Sequence, residues 1–421
     1  MQAGKPSSYR LSHMGKTVPV PAERAQVAAR MDKDENGYVS NDEIAFYYGL
    51  PEESKHGNNR EARLHENKFH LRGIPNPARE SYRSFAQVEK ELQDLAKKHP
   101  DLCKLHVLGT TAENRPIYAL QVTSHPEKSD PSKPAVVFKG LEHAREWTTT
   151  EVVTHSASEM VRKAASGDET YKKRLEQAET WFLPVVNPDG LEYSRDVNNN
   201  WRKNRQPVET TTNGVPIQEV GIDPNRNYGD GSELGNLIFR PESDRPNTWQ
   251  DDSENGADAP WSDVYRGEGP GSAKEVDAVQ SLELGRENVR GVLSYHSFGE
   301  SIVYPFGHSK EDVPDLPMFR EIGAKMNEAA GGGMEHKSSA GLYPISGAGL
   351  DVEYINGIVG YTMEINDSFQ PDPEEIEPTC ERFHRVNMTF LDEIVGRASR
   401  GTLPSRRIPD RYEDSEWNIA H

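Results

Sequence analysis

The sequence predicts an α/β fold, a sheet covered by helices, over residues 78–398. Three observations carry that prediction. Short apolar runs rich in β-formers recur along this stretch, each bounded by turn residues. Segments with a helical apolar face alternate with them. The flanking stretches, 1–77 and 399–421, are polar and lack the alternation.

In chain order, residues 84–98 predict a helix. Phe85, Val88, Leu92 and Leu95 form one apolar face, and Ser84 with Gln87 makes a capping box. Strands are expected at 117–122, 135–139, 182–186, 292–295 and 302–304, and Glu364 falls in a further strand-like run, GYTMEIND. Helices are expected at 147–165, 272–287, 314–330 and 373–397, the second opening on a Ser272/Glu275 capping box. Residues 229–263 are rich in Gly, Pro, Asp and Asn and read as a long surface insertion. Residues 399–421 are charged and poor in aliphatics, which predicts a mobile polar tail.

Composition narrows the function. The chain has 421 residues and a formal net charge of −19, which argues against nucleic acid or an anionic membrane as partner. No run approaches the ~18 apolar residues of a membrane-spanning helix. The first twenty residues have no apolar core of the signal-peptide kind. Two cysteines, Cys103 and Cys380, leave both a single bridge and free thiols open.

His143-Ala-Arg-Glu146 follows the apolar run PAVVFKG and precedes a predicted helix, so both side chains can turn toward one point. His296 ends the run GVLSYHS. Two histidines, one carboxylate and an open position are how a catalytic zinc is held. Glu364 is a carboxylate flanked by Tyr361, Met363 and Ile365, costly to bury without a purpose, and suits a general base that activates a zinc-bound water. NWRKNR (200–205) and DPNRNY (223–228) add arginines, whose planar fork can bind a carboxylate or an oxyanion.

LEHAREW (141–147), NPDG (187–190), NWRKNR, DPNRNY, SYHSFG (294–299), GLYPISGAGLD (341–351) and TMEIND (362–367) together resemble the zinc metallocarboxypeptidases of the carboxypeptidase A type. The resemblance covers about residues 80–400 and keeps the family's order. It implies a single α/β/α domain with a mixed, eight-stranded twisted sheet. His143, Glu146 and His296 are then the zinc ligands and Glu364 the general base. Arg202 would polarise the scissile carbonyl. Asn225 and Arg226 would grip the terminal carboxylate of a peptide or protein substrate, Tyr343 would close over it, and Arg145 would line an outer subsite. Leu350 matches the base of the side-chain pocket, with Ile345 and Ala348 beside it, which implies apolar C-terminal residues; Glu353 nearby leaves a mixed preference open. Residues 1–77 do not resemble the family's inhibitory propeptide, and Glu113-Asn114-Arg115 stands where the family has a Gly-Arg pair.

Residues 32–43 fit an EF-hand loop. Asp32, Asp34, Asn36, Tyr38 (through its backbone), Ser40 and Glu43 occupy the oxygen-donor positions, and Gly37 supplies the turn. A small helical, calcium-binding N-terminal segment is expected, and the weak affinity of a lone loop points to an extracellular setting. Two other readings compete: a same-fold peptidase acting on cell-wall peptides, and a non-catalytic, calcium-dependent peptide-binding protein.

Overall fold

The computed structural model describes residues 10–13, 16–19, 38–39, 77–128, 130–212, 215–240, 257–342 and 345–413. The chain forms two compact units, Met1–His70 and Leu71–His421. In the first, β1 (Arg10–His13) pairs antiparallel with β2 (Lys16–Pro19) and parallel with β3 (Tyr38–Val39). Of the EF-hand-like loop only the Tyr38–Val39 backbone is described. Asp32, Asp34, Asn36, Ser40 and Glu43 lie outside the described residues.

The second unit opens with α1 (Phe85–Lys98), then β4 (Cys103–Thr110), β5 (Pro116–Val122), β6 (Ala135–Gly140), α2 (Trp147–Ala165) and α3 (Glu169–Gln177). It continues with β7 (Glu179–Leu183), α4 (Pro188–Asp196), the pair β8 (Pro207–Thr212) and β9 (Val215–Val220), α5 (Glu233–Phe239) and α6 (Lys274–Gly285). Next come β10 (Val289–His296), β11 (Ser301–Tyr304), α7 (Leu316–Ala329), β12 (Glu335–Ser338) and α8 (Ser339–Leu342). It closes on α9 (Gly349–Ile355), β13 (Val359–Glu364) and α10 (Pro373–Arg400).

Eight strands form one mixed sheet in the order β12-β11-β13-β10-β6-β7-β5-β4. The central strands β13, β10, β6 and β7 run parallel, and β11, β5 and β4 add antiparallel pairings toward the edges. Successive residues of the central strands face opposite layers. Val136, Phe138, Leu293 and Tyr295 join a core with α1, α2, α7 and α10; Ala135, Val137 and Val292 join another with α6. Burial on both faces is why these strands read as continuous apolar runs. Register sets Tyr295 against Gly140 and His296 against Glu364, so β6, β10 and β13 end at one rim. Open α/β sheets bind ligands at that rim.

Several expectations need correction. The Ser272/Glu275 capping box does not form: α6 is capped at Ala273, and the buried Glu275 instead accepts from Asn204 Nδ2 at 2.6 Å. The Ser84/Gln87 box forms with both bonds. The strand expected at 182–186 lies earlier, because Pro184 lacks the N–H that would extend the ladder. The insertion at 229–263 is not all surface: it carries α5, and Ile238, Ala257 and Ala259 are buried. Residues 399–413, expected as a polar tail, are packed against the domain: α10 runs to Arg400, and Arg406 donates to the backbone carbonyls of Asn356, Glu283, Leu284 and Arg286 at 2.8–3.1 Å. Cys103 and Cys380 are buried free thiols, each pushed up to about 12 by burial.

Candidate active site

The sheet rim supplies the site. β6 ends at Gly140, where a Cβ would lie 2.8 Å from the Thr149 carbonyl, so glycine lets α2 start directly over the strand. Leu141 then takes a left-handed φ of 57°, held by a bond from its N–H to Thr149 Oγ1 at 2.9 Å. That turn points His143 and Glu146 into the rim. His296 and Glu364 are the last residues of the adjacent strands β10 and β13.

His143 Nδ1 lies 2.8 Å from Glu146 Oε1, His296 Nδ1 lies 3.1 Å from Glu146 Oε2, and the two Nδ1 atoms are 3.0 Å apart. All three residues are buried, and their ligating atoms lie within 4.8 Å of one another. Two imidazole nitrogens and a carboxylate oxygen converging on one point fit a zinc ion. The electrostatics agree. Burial opposes charge on Glu146, yet His143 and His296 hold its carboxyl well below the usual range. Burial would lower His296, but Glu146 and Glu142 drive it up to about 10, so the pocket favours a cation at this point.

The far nitrogens are engaged as well. His143 Nε2 lies 3.1 Å from Asp223 Oδ1, and His296 Nε2 lies 3.0 Å from Glu142 Oε2. Asp223 also accepts from Arg202 Nε at 2.8 Å and caps the short turn Pro224–Arg226 through Asn225 N at 3.0 Å. Burial would raise Asp223, but Arg202 and His143 hold it well below the ordinary carboxylate range. Burial likewise pushes Glu364 up to about 7, with Glu146 adding to the rise and His296, Arg202 and Arg226 opposing it.

A cavity of about 210 Å³ joins these groups. It is lined by His143, Arg145, Glu146, Arg202, Asn225, Arg226 and Glu364, with Val303, Ile345, Thr362 and Phe369 among the remaining walls. Arg145 sits over the Phe369 ring, 4.2 Å from its centroid. A Cβ at Gly347, whose φ is 62°, would collide with the Arg226 carbonyl, so glycine lets the loop before α9 approach the arginine. Leu350 is buried with Val303, Ile345 and Ala348 in one apolar cluster behind that wall. Glu353 does not face the cavity: it is buried and binds Lys139 Nζ at 3.1 Å. Asp351 is consumed by the Gly307 and His308 backbone and by His308 Nδ1. Tyr343 lies outside the described residues.

The structure thus brings His143, Glu146, Glu364, Arg202, Arg145, Asn225 and Arg226 around one cavity, with His296 clustered against His143 and Glu146. Asp223, Glu142 and Phe369 join the site without having been expected there from the sequence. Of these only Asp223 carried a signal, as the first residue of the DPNRNY motif.

A buried His–Glu–His cluster beside a poised carboxylate and guanidinium groups defines a metal-dependent hydrolase. The chain belongs to the zinc carboxypeptidase family, peptidase M14, which matches residues 88–385, and it is a metallocarboxypeptidase. It is 28% identical over 324 residues to Carboxypeptidase A4 of Mus musculus, covering 75% of this chain and 70% of that protein. It is 28% identical over 315 residues to Carboxypeptidase B of Rattus norvegicus, covering 71% and 68%. In fold it is similar to the carboxypeptidase A from Helicoverpa armigera (TM-score 0.64, 20% identity, 91% of this chain and 89% of that one). Thrombin activatable fibrinolysis inhibitor is similar too (TM-score 0.64, 22% identity, covering 80% and 81%). Relatives of both A and B type leave terminal-residue preference to the pocket itself.

Proposed function

We propose that this metallocarboxypeptidase removes one residue at a time from the free C-terminus of peptides and proteins, with a preference for apolar side chains. The observation that carries this reading is the cavity, where the metal cluster and Glu364 share walls with Asn225, Arg226 and an apolar patch. His143, Glu146 and His296 would hold a zinc ion, which when bound would supply a Lewis acid and make the attacking water more acidic. Glu364 takes the proton of the attacking water and returns it to the departing amine. Arg202 hydrogen-bonds the scissile carbonyl oxygen as it gains charge. Asn225 and Arg226 fix the substrate's terminal carboxylate, and Tyr343 closes over it. Arg145 and Phe369 flank the residues further from the cut. The acids among the described lining residues are Glu146 and Glu364, both assigned to the reaction, so among them no carboxylate awaits a basic terminal side chain. Val303 and Ile345, backed by Leu350, favour apolar ones.

Hydrolysis of a peptide ending in Phe, free or amidated, with and without a zinc chelator, tests the reading. Chelator-sensitive release of Phe from the free peptide alone is the expected result. Equal cleavage of the amidated peptide would remove the carboxylate-gripping role of Asn225 and Arg226. Faster release of Lys than of Phe would overturn the apolar preference.

On its sequence alone, the loop 32–43 in the polar segment 1–77 is proposed to bind calcium, in an exported protein. Calcium titration followed by thermal unfolding checks it; a melting temperature blind to millimolar calcium would reduce the loop to a turn.

A further inference from the structure

We infer that Glu142 is a positioning residue: its carboxylate orients His296 for the metal, as Asp223 orients His143. The inference deepens the zinc reading and rests on it.

Glu142 is buried, and a carboxylate out of water is costly unless something uses it. Its partners show what does. Oε2 lies 3.0 Å from His296 Nε2 and accepts from the Ser294 hydroxyl; Oε1 accepts from the Tyr228 hydroxyl. Three groups stand near His296 Nε2: the Glu142 carboxylate, Ser294 Oγ at 3.1 Å and Asn225 Nδ2 at 3.3 Å. The amide nitrogen is a donor. The serine hydroxyl has turned its hydrogen to Glu142. The carboxylate is therefore the acceptor for Nε2–H, and that tautomer leaves the Nδ1 lone pair facing Glu146 and His143. A metal-bound histidine commonly has its tautomer and ring direction fixed in this way.

The carboxylate is held in place from below. Lys139 Nζ binds Tyr228 Oη at 3.1 Å, Glu353 at 3.1 Å and Glu283 at 3.0 Å, so its charge lies under the group without pulling it off the histidine. One loop also serves both histidines: Asp223 at its start reaches His143, and Tyr228 at its end steadies Glu142. A substrate gripped by Asn225 and Arg226 thus contacts the loop that aligns both ligands.

The test is zinc affinity of the full-length protein by chelator competition, together with the ring N–H signals of 15N-labelled histidine in the zinc-loaded protein. Glu142→Ala should weaken zinc binding about 10–100-fold and abolish the exchange-protected His296 Nε2–H signal. Glu142→Gln, which keeps an acceptor but not the charge, should fall between that variant and wild type and shift the signal. Glu283→Gln disturbs the same buried cluster without touching His296; it should change the melting temperature and leave zinc affinity unchanged. Equal zinc affinity and an unchanged His296 signal in both Glu142 variants would overturn the inference. If Glu142→Ala fails to fold, the wild-type signal still decides: an unprotected Nε2–H refutes the bond. Failure of wild type to bind zinc stoichiometrically would instead sink the zinc reading itself.

Discussion

Glu364 stands at the end of a strand with its carboxyl pushed up to about 7 by burial. As the proposed general base it works only when ionised, so kcat/KM should fall as pH drops through the pKa of this group. Bound zinc, a nearby cation, moves that limb to lower pH. Glu364→Gln should reduce kcat by at least about 10²–10⁴ and abolish the limb, while zinc content measured by metal analysis stays stoichiometric. Retained turnover in this variant would move the base elsewhere. At this scale the sequence was informative. His143, Glu146, His296 and Glu364 sit in short motifs that can be picked out without coordinates, and the fold brings them to one rim. Glu142 was not legible, because a glutamate beside a motif histidine has no visible partner until Ser294 and Tyr228 are folded against it.

Among the elements, α6 separates pattern from outcome. Its first turn matches a capping box, yet Glu275 is drawn into the interior by Asn204. Burial pushes Glu275 up to about 7 from the usual 4.5. The native state therefore keeps a proton that the unfolded chain releases. The associated stability is fully present below about pH 4.5 and is lost as pH rises through about 7. Glu275→Gln mimics the protonated form. It should match wild type in urea unfolding at pH 4.5 and be more stable at pH 8, by up to about 3 kcal/mol. A variant equally or less stable at pH 8 would show that Asn204 prefers the charged acid. Helices with long apolar faces were legible, α2 to the residue, because burial and periodicity coincide there. The edge strands β4 and β12 were missed. Each is half solvated, so side-chain pattern says little and the ladder with a neighbour decides.

For the whole molecule, closure depends on residues that looked like a tail. Arg406 donates to Glu283 and Leu284, whose carbonyls end α6, and to Asn356 and Arg286. A cation on a helix C-terminus satisfies orphan carbonyls and the dipole together. Arg406→Ala should cost on the order of 2–3 kcal/mol in chemical unfolding, with the cleft and its zinc affinity intact. An unchanged unfolding midpoint would return this segment to the status of a loose tail. None of the described helices is long and apolar enough to cross a membrane.

The sequence by itself determined the alternation that makes a covered sheet and the order of the motifs that meet at its rim, because periodicity and local chemistry are written in adjacent residues. Only the tertiary structure decided which acids face the metal ligands, that Glu353 turns away from the cavity to Lys139, and that Arg406 anchors the C-terminal segment. Those outcomes depend on partners between about 50 and 210 residues distant, brought together by strand register and helix packing, and no local pattern specifies them.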